Sequence, residues 1–132
     1  MSRVAYKLAS HVSLPVAEGA KISAGDGVCL DTGYAVPASV DTGLVSYGVA
    51  LEEVDNTDGS DGAVLVDAYA GGKAFPFANS SSTDEITAAD RGATVYWAGP
   101  QQVAKTNGTN TRSAAGKVFE VDADGVVWVT FG

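Results

Sequence analysis

The chain has a single cysteine, Cys29, and a single histidine, His11. One cysteine excludes an intrachain disulfide framework and any cysteine-based zinc cluster. One histidine removes most histidine-based catalysis and histidine-rich metal sites. Basic residues are scarce: eight Lys and Arg face sixteen Asp and Glu, for a formal charge of −8. An acidic surface repels phosphate backbones and anionic membranes, which argues against nucleic acid or membrane as a partner. No run approaches the roughly 18 apolar residues of a membrane-spanning helix. Residues 1–7 contain no continuous apolar segment of signal-peptide type, so synthesis in the cytoplasm and a soluble product are expected.

What is present describes a globular chain. The hydrophobic fraction is 45% and the charged fraction 18% over 132 residues, a composition and length that suit one folded domain. At this size about two-thirds of the unfolded chain's surface can be buried, enough for a core without covalent staples. Glycine is abundant: sixteen residues exceed the usual share of roughly 7% and point to many tight turns.

The dominant hydrophobic period is two, the mark of strands with one buried face. Val4, Tyr6 and Leu8, then Val12, Leu14 and Val16, alternate with polar or small residues. Residues 1–17 therefore read as an N-terminal arm or a first strand, and residues 18–132 as one β domain. Pro15 gives no ladder donor, which places the end of that segment at an edge or a turn. Further strands are expected at residues 27–30, 34–37, 44–51, 63–70, 74–78 and 93–97, the last with a hairpin partner at 101–105. Residues 117–121 and 126–131 flank Asp122-Ala123-Asp124-Gly125, a hairpin signal. Only residues 38–42 and 87–91 offer a turn of helix. The expected fold is all-β, a small β-barrel or β-sandwich of short antiparallel strands with an N-terminal extended arm. Ile22-Ser23-Ala24-Gly25-Asp26 is echoed by Ile86-Thr87-Ala88-Ala89-Asp90, and the strands at Gly48 and Gly116 follow each copy. That echo suggests a duplicated β-unit.

Constellations that could carry chemistry are weak. The loop at residues 55–62 is rich in Asp, Asn and Gly, as a cation site would be. It fails the EF-hand pattern, since Thr57 and Gly59 stand where ligands belong, and it reads as a solvated turn. His11 has Ser10 and Ser13 beside it but no nucleophile-elbow glycines. Cys29, between Val28 and Leu30, reads as a small hydrophobe. Carboxylate pairs for glycoside hydrolysis exist in any acidic chain. Gly25-Asp26-Gly27 and Gly71-Gly72-Lys73 lack the strand–loop–helix setting of a phosphate cradle. No catalytic, cofactor or metal residue is assigned.

The order of elements resembles the small head decoration (capsid cement) proteins of tailed bacteriophages. The resemblance rests on Gly25-Asp26-Gly27-Val28, Ser46-Tyr47-Gly48-Val49-Ala50-Leu51-Glu52-Glu53 and Asp61-Gly62-Ala63-Val64-Leu65-Val66. It continues through Asp90-Arg91-Gly92-Ala93-Thr94-Val95-Tyr96-Trp97, Val103-Ala104 and Ala115-Gly116-Lys117-Val118 to the closing hairpin. It implies a non-enzymatic virion structural protein on the outer capsid surface, a homotrimer bound to the major capsid protein, without a cofactor. It also implies an arm that reaches a neighbouring subunit or the shell. Aromatic and arginine side chains tend to carry interface energy, so the contact candidates are Arg3, Tyr6, Leu8 and His11 of the arm, with Tyr34, Phe75, Phe77 and Trp97. Three rival readings are a tail or head–tail component, a carbohydrate-binding or adhesive β-module that stacks sugars on Tyr96, Trp97 and Trp128, and, last, a hydrolase built on a pair of carboxylates.

Overall fold

The computed structural model describes residues 11–131. Arg3, Tyr6 and Leu8 lie outside the described residues. The protein is all-β, built from short antiparallel strands. In chain order the strands are β1 (His11–Pro15), β2 (Lys21–Ile22), β3 (Gly27–Asp31), β4 (Tyr34–Pro37), β5 (Val45–Ala50), β6 (Val54–Asp55) and β7 (Leu65–Tyr69). They continue with β8 (Ala74–Phe77), β9 (Thr94–Gly99), β10 (Gln102–Ala104), β11 (Ala114–Val121) and β12 (Val127–Thr130). Single 3-10 turns occur at Ser82–Asp84 and Ala88–Asp90. Residues 38–42, a helix candidate on sequence, are irregular.

Two five-stranded sheets carry the fold, ordered β1-β7-β5-β3-β4 and β10-β9-β11-β12-β8. Read outward from the hairpin in each, the orders match strand for strand: β4, β3, β5, β7, β1 against β10, β9, β11, β12, β8. The registers match too. His11 opposes Tyr69 and Leu14 opposes Val66 in one sheet; Ala74 opposes Thr130 and Phe77 opposes Val127 in the other. Gly27, Val28 and Cys29 face Val49, Gly48 and Ser46, while Thr94, Val95 and Tyr96 face Lys117, Gly116 and Ala114. Each set skips one residue of the longer strand, so both units carry a β-bulge at the same place. A side chain on Gly48 would overlap the carbonyl of Tyr69, and one on Gly116 would overlap that of Thr130. Glycine is the residue that lets the neighbouring strand end there.

Each sheet also closes on itself in the same way. Val16, just after β1, makes a parallel bridge to Ala35 of β4, and Ala78, just after β8, makes one to Gln102 of β10. Closure removes the open edges on which another strand could template. The first unit adds the small β2–β6 sheet; the second has a four-residue turn in its place. The echo seen in sequence is thus a duplicated unit. Ser23 N donates to Asp26 Oδ2 and Thr87 N to Asp90 Oδ2, both at 2.8 Å, and Ile22 and Ile86 are both buried.

Two apolar clusters hold the molecule. One lies within the first unit around Val16, Ile22, Val28, Ala35, Val66 and Ala68. The larger lies in the second unit around Trp97, Phe77, Phe131, Val118 and Val129, and it takes in Cys29, Ala38 and Val49 from the first. The two units therefore share a core. Burial pushes the Cys29 thiol up to about 12, as an apolar surround disfavours the thiolate.

Candidate interaction surface

The structure separates the aromatic contact candidates. Trp97 is fully buried: its ring stacks on Phe131 at 6.1 Å, meets Phe77 edge-on at 5.1 Å, and its Nε1 donates to Ser46 Oγ at 3.2 Å. Phe77 is buried with it. Both expectations of surface contact are corrected here. Val95 and Trp97 share the inward face of β9, and Phe77 shares its face with half-buried Phe75, so these rings fill the core. Burying Trp97 also removes one of the three stacking platforms of a carbohydrate-binding reading.

His11, Tyr34 and Phe75 reach the surface to different degrees. His11 is exposed at the start of β1 with its ring 5.4 Å from Tyr69. Tyr69 in turn stacks on Phe75 at 6.1 Å, and Phe75 meets Phe131 at 6.3 Å. A row of rings thus runs from the surface into the shared core, with the Lys73 ammonium 5.2 Å over the Tyr69 ring. Tyr34 is half-buried at the start of β4 on the β3–β4 hairpin.

The apolar surface that sequence reasoning missed lies along β11. Val45 is 60% exposed and Phe119 56%. Two shallow grooves occupy the strip between them. One, of about 660 Å³, is lined by Leu44, Val45, Ser46, Thr94, Ala114 and Lys117. The next, of about 460 Å³, is lined by Arg91, Gly92, Lys117, Val118, Phe119 and Glu120. Phe119 follows buried Val118 on a bulged strand, so alternation read from the sequence alone does not fix its face.

Charge is distributed unequally. Residues 11–72 hold ten of the sixteen acidic residues and one base, Lys21. Residues 73–132 hold the other six and five bases. In the second unit, Arg112 pairs with Asp84 at 3.2 Å, Lys105 with Asp90 at 3.5 Å and Arg91 with Glu120 at 3.9 Å. Hydrogen bonding from the Thr106 hydroxyl, aided by Arg112, holds the Asp84 carboxyl below the usual range. The Thr87 amide, with Lys105, lowers Asp90, and the Trp128 indole N–H with three backbone amides lowers Asp122. Among the described residues of the first unit the single pair is Lys21–Glu53 at 3.5 Å.

The loop at residues 55–62 is organised by hydrogen bonds of its own. Asn56 is buried and its Nδ2 donates to the carbonyls of Val16, Ala17 and Ser60 at 2.9–3.2 Å. Asp55 accepts from the Thr57 hydroxyl and amide, which lowers its pKa, and Asp61 Oδ1 accepts from Glu18 N at 2.8 Å. Among the described residues no group of three or more His, Cys, Asp or Glu side chains is placed to hold a metal ion. No helix among them is long and apolar enough to cross a membrane. Compared with protein-family models, with curated proteins and with solved structures, the chain matches none.

Proposed function

We propose that the protein is a non-enzymatic structural component of a phage virion, bound as a homotrimer to the outside of the capsid. Its partner in this reading is the major capsid protein, and it stabilises the shell by binding only the assembled state. The observation that supports the reading is the position of the segments on which the resemblance rests. Each is a turn and the strand it starts or continues: Gly25–Val28 leads into β3, residues 61–66 into β7, residues 90–97 into β9, residues 46–53 cover β5 and the bend after it, and residues 115–118 lie on β11. The series thus follows one repeated architecture through most of the chain. His11, Tyr34 and Phe75, with Arg3, Tyr6 and Leu8, are the contact residues this reading retains.

The test is the copy number of the chain in purified particles of the phage that encodes it, by quantitative mass spectrometry against the major capsid protein. Near-stoichiometric abundance is the expected result. A few copies per particle would instead assign the chain to a tail or vertex, and absence from the particle would overturn the reading.

A further inference from the structure

The two units are equivalent in register but not in what covers them. In the first unit the corner at Gly25, where β3 begins beside the end of β5, is capped by the β9–β10 turn of the second unit. Gln101 Nε2 donates to Asp26 Oδ1 at 3.0 Å and to Ala24 O at 3.4 Å, and Gly27 N donates to Pro100 O at 2.7 Å. The same corner in the second unit is Gly92. Gly25 N donates to Ala50 O as Gly92 N does to Val118 O, at 2.9 and 2.8 Å, and both glycines have positive φ, +87° and +84°. A Cβ built on Gly25 meets Gln101 at 3.6 Å; one built on Gly92 meets nothing within 4 Å. The open corner is the 460 Å³ groove beside Phe119.

The covering turn also has a counterpart. Pro100 and Gln101 join the paired residues Gly99 and Gln102, and Thr32 and Gly33 join the paired residues Asp31 and Tyr34. Both are two-residue hairpin turns. Residues 31–33 are exposed, and a Cβ on Gly33 meets nothing within 4 Å. Among the described residues one turn and one corner are thus used internally and one of each is left uncovered.

We propose that the free β3–β4 turn of a second copy docks on the free Gly92 corner, the place that the β9–β10 turn fills in the first unit, with charge and the Phe119 ring standing in for the Gln101 side chain that Gly33 lacks. This rests on the self-assembly in the reading above and names its surface. Charge favours this pairing over others available to so acidic a chain. The corner presents Lys117 beside the exposed Phe119 ring, with Arg91 and its partner Glu120 at the groove's edge and a net positive charge, whereas the incoming turn carries Asp31 from the unit with ten acids and one base. Turn and corner are different surfaces, so the contact is heterologous: copies add head to tail and stop growing when the rotation closes a ring, as in a trimer.

Sedimentation equilibrium of the purified full chain at low salt tests this without a capsid. The wild-type chain is expected to associate beyond a dimer. Asp31→Lys, and separately Arg91→Glu with Lys117→Glu, should each weaken association about tenfold or more, and combining all three should recover most of it, since opposed charges are again paired. Circular dichroism checks that each variant is folded. A wild-type chain that stays monomeric at millimolar concentration, association indifferent to the reversals, or a combined variant no better than the single ones would each overturn the contact. Heads carrying the chain in near-stoichiometric amount while it stays monomeric would overturn this contact and leave the decoration reading standing. Ring formation by a chain absent from the particle would do the reverse.

Discussion

The first and second units share strand order, register, bulge and closure, yet differ in nearly everything that side chains supply. The second is filled with aromatic rings and pairs three of its five bases with acids; the first is filled with small aliphatic residues and carries ten acids against one base among its described residues. What the two retain in common is the backbone: the strand order, and glycines where a strand must end against a carbonyl. A fold of this kind is specified by where backbone can pass close to backbone, and its core tolerates different fillings as long as volume and inward facing are kept.

The largest expected effect concerns that difference in filling. Trp97→Ala should cost about 3–5 kcal/mol, since it empties the centre of the shared core and leaves Phe77 and Phe131 without a partner. The register-equivalent Leu30 is only half-buried, so Leu30→Ala should cost about 1–2 kcal/mol. Urea unfolding of both variants would measure the contrast, and equal costs would break it. Gly48→Ala and Gly116→Ala probe what the units share. Each places a methyl on a neighbouring strand's carbonyl, so each should cost about 2–3 kcal/mol; a tolerated change at one alone would mean that the bulges are not equivalent.

The connection between the third and fourth large strands sharpens the comparison. In the first unit it is the long loop built on buried Asn56, and Asn56→Ala should cost about 2–3 kcal/mol by stranding three carbonyls. In the second it is the short turn capped by half-buried Asp122, where Asp122→Ala should cost clearly less in the same unfolding experiment. The smallest effect is one of acid. The lowered carboxyls of Asp84, Asp90 and Asp122 give stability that is present above the unfolded pKa and lost as pH falls through the folded one, so it fades below about pH 4. In the first unit the Thr57 hydroxyl and amide hold Asp55 low, and protonation in that unit also relieves repulsion among ten acids. Hydrogen exchange on acidification should therefore open β9–β12 before β1–β7. The opposite order would show that acid repulsion in the first unit does not govern its response.

Much of the strand plan was legible because period-two alternation and glycine-bounded runs are local signals. The β11–β12 hairpin, the β3–β4 turn and the all-β class follow from them directly. The duplicated unit was visible only as a five-residue echo, because Ala88–Asp90 inserts an extra turn before Gly92 and breaks the alignment. The aromatic candidates were harder. Trp97 could have been placed inside from its alternation with Val95, but Phe119 sits on a bulged strand where alternation changes phase. The open corner at Gly92 was not legible at all, because it depends on which unit covers which, and that is set by contacts far apart in sequence.

The ladder pairing of His11 with Tyr69, and of Ala74 with Thr130, has a mechanical consequence. In each unit the chain enters and leaves at neighbouring ends of the same antiparallel pair. Tension applied through the two ends of a unit therefore peels the ladder one rung at a time instead of shearing all its rungs together. A pull on the chain ends opens the molecule at low force, while a load spread across its faces meets two closed sheets.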